Sequence, residues 1–283
     1  MWRFDGTTAT RLGIANPDHR SKVTLKEGQT LRQGLETISM FFERDFVLHR
    51  MQLPPGAYYP QIARPADQAP EEPIGSFPVA PKAADDLIAS LNQVRALVAM
   101  LELIFQSVHP VESNMKCFGA SIRNSLILAC TECEAQWKSV LRANGYELSN
   151  PGTKDYVKLR IPLRLDEYSV SLRHYPWLQP MFPFTGWTAT ASTQSLSWYG
   201  DYNATKHDRA TEFHRSTLSA AITAVSAVWV MIAAAYGIQG VREFQDLNRY
   251  FAVNTAPRWR YSEVYTFPYR GSNSQAGAVN YPF

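Results

Sequence analysis

No charged residue interrupts the chain between Leu218 and Tyr236, and this gap constrains the fold more than any other feature. An apolar run of that length forms either a bilayer span or a helix enclosed by other elements. The run is rich in Ala, and Ser219, Thr223 and Ser226 lower its affinity for lipid, so a helix buried on all sides is expected. Such a helix needs neighbours with apolar faces. Leu87, Leu91, Val94, Leu97, Val98, Leu101 and Ile104 repeat at helical spacing within 83–108, with Asp85 and Asp86 in the first turn, where negative charge suits the dipole. Pro110 stops that helix. Another is predicted from about Ser113 to Asn144, with Gly145 where a left-handed cap is expected. The run from Trp198 to Tyr236 reads as one long helix ended by Gly237, and 241–251 as a shorter one.

Elsewhere the pattern changes. Leu31, Leu35, Ile38, Phe42 and Phe46 form a helical stripe within 29–50, and eight prolines fall between Pro54 and Pro81. The organisation expected is an N-terminal helical arm (1–53), a Pro-rich linker or surface loop (54–82) and a helical domain (83–283). Val157, Leu159, Ile161, Leu163 and Leu165 alternate, and Val170 and Leu172 resume after Asp166-Glu167, which predicts a β-hairpin over 156–173 with Pro162 at an edge. The aromatic loop from Tyr175 to Trp187 is expected to pack down, although such rings can stack on bases. The tail from Pro257 to Phe283 reads as extended and adherent. The fold class is mainly α: a helical bundle with a small appended β-hairpin.

A chain of 283 residues with 45% hydrophobic and 19% charged residues is not wholesale disordered. Its net charge of +3 excludes attraction to nucleic acid by bulk electrostatics, so any RNA contact must come from a local patch. Three cysteines exclude a disulfide framework and suit a reducing compartment. The opening Met1-Trp2-Arg3-Phe4-Asp5 has no apolar signal core, and a cytoplasmic protein without a membrane partner is expected. Cys130-x-x-Cys133 lies in an apolar helical stretch without a second pair, so it reads as two buried small residues rather than a zinc site. A Gly-rich phosphate loop, a Ser nucleophile elbow and a paired His on a Glu-bearing helix are all missing from the sequence. No metal and no cofactor are expected.

The concentrated polar segment is Trp198 to His214, which holds two of the six histidines together with Asn203, Lys206 and Arg209. On a helix, Asn203 and His207 lie one turn apart on the same face. An imidazole that titrates near neutrality suits proton transfer, an amide can orient a phosphate or water, and Lys206 and Arg209 can steady an anionic transition state. A polar helix start with structural histidines produces the same pattern. Glu132 and Glu134 are candidate partners for the histidine; two residues apart, they cannot both face inward.

The run Tyr202-Asn203-Ala-Thr-Lys206-His207-Asp208-Arg209, opening an Ala-rich helix, resembles the signature helix of the HEPN (higher eukaryotes and prokaryotes nucleotide-binding) family. The segment Arg123 to Lys138 is similar to the acidic helix that packs beside it. The likeness covers roughly 85–145 and 196–237. It implies an RNA-acting HEPN-like protein, a metal-independent endoribonuclease of a toxin–antitoxin or phage-defence system. It also implies a homodimer whose two copies share one cleft, with RNA and an antitoxin or other defence protein as partners. The alternative is a catalytically inactive HEPN-like module for binding, dimerisation or sensing. The family motif places a histidine five positions after an arginine, with a polar residue between. In one register Asn203 and His207 fall in place, with Tyr202 in the arginine position. In the other, Arg209 and His214 have the spacing and Ala210 takes the polar position. The resemblance therefore implies His207, Asn203, Lys206 and Arg209 as catalytic residues, with His214, Glu134 and Tyr202 as alternates.

Overall fold

The computed structural model describes residues 2–11, 19–38, 47–65, 81–147, 149–238, 245–265 and 277–283. The chain is mainly α and separates into two compact units. One holds 1–58, 64–81 and 258–279; the other holds 59–63, 82–257 and 280–283.

In the first unit, β1 (Trp2–Phe4), β2 (Thr8–Arg11) and β3 (Lys22–Thr24) form an antiparallel sheet in that order. The turn between β1 and β2 is dictated locally. The Asp5 carboxylate accepts from the Thr7 and Thr8 amides at 3.0 and 2.7 Å, and Gly6 takes the left-handed φ of 106° that the turn needs. The helical arm expected over 1–53 is therefore corrected: its start is a β-sheet rich in threonine. Its only described α-helix is α1 (Leu31–Glu36), opened by a capping box between Thr30 and Gln33. Of the predicted stripe, Leu35 is buried, while Phe42 and Phe46 lie outside the described residues. The Pro-rich segment is likewise more than a linker. Within the same unit, β4 (Ala57–Tyr58) pairs in parallel with Gly277–Ala278, and Arg64 stands 4.8 Å over the buried Trp259 ring. Residues 66–80, and Phe267 and Tyr269 of the tail, lie outside the described residues.

The second unit carries α2 (Pro81–Phe105) and α3 (Ala120–Ala143), close to their predicted ranges. The latter starts later than expected, at Ala120, and Phe118 bridges Thr217 just ahead of it. It ends at Gly145 (φ 74°), where a Cβ would also collide with the Asn280 side chain.

The hairpin predicted over 156–173 is corrected. Short helical turns fill most of it: α4 (Thr153–Tyr156), α5 (Arg160–Leu163) and the 3-10 turns joined to them. Gly152 and Asp155 open the first turn, the Gly152 amide donating to the Asp155 carboxylate at 3.0 Å. Pro162 falls in the first turn of α5, where a missing N–H costs no hydrogen bond. Ile161, which a one-sided strand would bury, is 62% exposed. Only β5 (Ser169–Leu172) is a strand, and its partner is distant in sequence.

The long helix predicted from Trp198 to Tyr236 is also corrected. It is broken into α6 (Ser197–His207), α7 (Arg209–Glu212), a 3-10 turn and α8 (Leu218–Tyr236). All of α8 is buried except Ser219 and Thr223. Two described helices are long and apolar enough to cross a bilayer, and 89% of this one is buried by protein. Its alanines admit α3 closely, and the Cys133 thiol lies 3.9 Å from the Ala224 carbonyl. Gly237 (φ 85°) terminates it as expected. After it come α9 (Gln245–Tyr250) and β6 (Phe251–Thr255), which pairs antiparallel with β5; the Phe251 ring stacks on Trp229 at 5.3 Å. Residues 241–244 of the predicted 241–251 helix lie outside the described residues.

Candidate functional site

The site is built on α6 and the knuckle that follows it. Two side chains make the break. Asp208 leaves helical geometry (φ −135°, ψ 82°) and caps α7, accepting from the Ala210 and Thr211 amides at 3.0 and 3.1 Å. The Thr211 hydroxyl and those amides hold its carboxyl below the usual carboxylate range. Thr217 caps α8 by accepting from the Ala220 amide at 3.2 Å. A buried hydroxyl pair staples the bend: Ser216 donates to Thr205 at 3.0 Å, and Thr205 donates to the Asp201 carbonyl at 2.8 Å. Arg215 braces the same bend through ion pairs with Asp201 (2.8 Å) and Glu212 (3.4 Å).

The inner face of α6 lies on α3. The Tyr199 hydroxyl donates to Glu134 Oε1 at 2.8 Å, and Lys138 stands 3.7 Å from the other oxygen of that carboxylate. One turn on, Lys206 Nζ donates to the Tyr202 hydroxyl at 3.0 Å, and this bond raises the lysine above its ordinary value. Burial pushes both phenols up, and the Glu134 carboxylate adds to the effect at Tyr199. Behind them Trp137 meets Tyr156, Trp187, Trp198 and Tyr199 in an aromatic wall. Cys130 and Cys133 are buried beside this strip, where desolvation pushes their thiols well up and leaves them protonated. Among the described residues no group of His, Cys, Asp or Glu is placed to hold a metal.

The predicted site residues thus divide into two sets. Glu134, Tyr202 and Lys206 are drawn into one polar strip, joined by Tyr199, which the sequence reading missed. Its only signal was its position four residues before Asn203, whose side-chain amide donates to the Tyr199 carbonyl at 3.1 Å. His207 and Arg209 are exposed at the knuckle, and among the described residues neither side chain makes a hydrogen bond. His214 is exposed too, with Nδ1 3.1 Å from the Thr211 carbonyl. Asn203 and His207 lie a turn apart in α6 as expected, without a bond between them. Glu134 meets a tyrosine and a lysine rather than a histidine.

Comparison of the chain with protein-family models, with characterised proteins and with solved structures found no match.

Proposed function

We propose that this chain is a HEPN-like RNA-binding protein that works as a homodimer, with the α6–α7 knuckle as its RNA contact. The observation that carries the reading is the run Lys206, His207 and Arg209. All are exposed, and none is ion-paired with a carboxylate among the described residues. A cation not already neutralised by protein keeps its charge for a phosphate, and a local cluster can act where a net charge of +3 cannot. The packing of α6 on α3 through Tyr199 and Glu134 supports the resemblance of these two helices to the family's signature and acidic pair.

Cleavage is a second reading, favoured by the shared face of Asn203 and His207. In it His207 takes or returns the proton as a 2′-hydroxyl attacks the adjacent phosphate. Asn203 positions that phosphate, and Lys206 or Arg209 steadies the developing charge. Lys206 is already held by the Tyr202 hydroxyl, so a cation stands next to the residue in the family's arginine position.

Fluorescence anisotropy with a labelled single-stranded RNA tests the binding surface. Lys206→Ala combined with Arg209→Ala should weaken binding at least about tenfold and flatten the salt dependence by roughly one to two log units per log unit of salt. An unchanged Kd would remove the knuckle as the contact. Incubating the same RNA in chelator separates the readings. Loss of cleavage in His207→Ala assigns catalysis to that register, and loss only in His214→Ala assigns it to the other. A parent that binds without cutting is the inactive module.

A further inference from the structure

We propose that a cleft between α2, α3 and α8 is a binding site for a small organic cation of the primary aliphatic amine class. The proposal is independent of RNA binding, because Lys206, His207 and Arg209 do not line the cleft. It holds about 210 Å³. Pockets for drug-sized ligands run roughly 300–1,000 Å³, so this one fits a ligand of only a few heavy atoms.

Its chemistry is one-sided. Asp86 and Ser90 come from α2, Glu132 and Gln136 from α3, and Met231 and Tyr236 from α8; no Lys, Arg or His lines it. Glu132 is half-buried, and burial pushes its carboxyl up. Its hydrogen-bond partner is neutral: the Gln136 amide donates to it at 3.1 Å, and among the described residues no cation pairs with it. Gln136 is 8% exposed, and while its amide nitrogen donates to Glu132, its carbonyl Oε1 is buried without a donor among the described residues. This oxygen therefore has acceptor capacity left for a donor in the cleft. Asp86, which is exposed, lines the same cleft and supplies a second carboxylate.

A primary ammonium answers each of these features. Its charge offsets Glu132, one of its three N–H groups can serve Gln136 Oε1, and its alkyl stem lies on Met231 and the apolar floor. A metal ion fits less well, since no third acidic, His or Cys ligand joins the set among the described residues.

Titration calorimetry of the full chain with n-butylamine tests the site, with n-butanol as the uncharged control. Saturable binding of the amine and none of the alcohol is expected. Glu132→Gln, which keeps the shape and removes the charge, should weaken binding at least about tenfold. Ser139→Leu, which fills the cleft and keeps both carboxylates, should weaken it comparably, with the fold checked by circular dichroism. A lysine-containing tripeptide run alongside distinguishes a free amine from a partner protein's side chain. The proposal fails if the amine does not bind, if butanol binds equally, or if Ser139→Leu binds as the parent does. Undiminished binding by folded Glu132→Gln defeats it too.

Discussion

On the inner face of α6, Trp198, Tyr199, Tyr202 and Thr205 are buried and their polar atoms have partners; one turn further on, His207 and Arg209 stand in solvent with none among the described residues. The difference separates what holds the knuckle from what the knuckle can offer a ligand. A buried hydroxyl or indole left unmatched costs about 1–3 kcal/mol, so the inner groups are committed to the fold. The outer groups can change with little effect on the fold, which is the condition for a binding surface.

Truncating the largest inner side chain should give the largest effect. Trp198 is buried and donates to the Pro183 carbonyl at 2.7 Å, so Trp198→Ala should lower unfolding free energy by about 3–5 kcal/mol in urea titrations. Thr205→Val should cost less, about 1–3 kcal/mol, because Ser216 would lose its acceptor inside the bend. Tyr199→Phe should cost about 1 kcal/mol, since Glu134 keeps Lys138 beside it.

The cap at Asp208 has a pH signature. Its carboxyl is lowered in the folded state, so its contribution is present above the unfolded value of 3.8 and is lost as pH falls through the lower folded value. Asp208→Asn should therefore lower stability modestly at neutral pH and flatten the acid limb of the curve, so that variant and parent converge at low pH. At the bottom of the scale, His207→Ala and Arg209→Ala should each shift stability by less than about 0.5 kcal/mol. If either destabilises as much as Thr205→Val, the division between the two faces is wrong. Light scattering at tens of micromolar, roughly where a standard interface is populated, sharpens the same point: a monomer there removes the shared cleft.

Much of this was legible in residues close together in sequence. The apolar stretch that became α8, the face of α2, and the glycine stops at Gly145 and Gly237 all follow from spacing and backbone freedom. The polar segment around Asn203 and His207 was equally visible. Three features were misread because local and distant signals compete. Alternating residues from Val157 to Leu165 fit a strand, yet a glycine-aspartate start and a proline in a first turn fit helical turns better. Continuous helical periodicity from Trp198 to Tyr236 concealed two caps, because Asp208 and Thr217 compete with the backbone for amides only once the chain bends. At the N-terminus, a short apolar stripe outweighed the β-branched residues and the Asp5-Gly6 turn ahead of it.

Residue types and spacing determined that α2, α3 and α8 are helical, where α3 and α8 stop and which side chains carry charge, because those are matters of local dihedral preference and periodic burial. Tertiary structure alone decided that Glu134 meets Tyr199 rather than a histidine, that β5 pairs with β6, and that Glu132 and Gln136 face an acidic cleft. These pairings join residues tens of positions apart. Their energy exists only after the intervening chain has closed, and nothing in the spacing of either partner encodes which distant group will satisfy it.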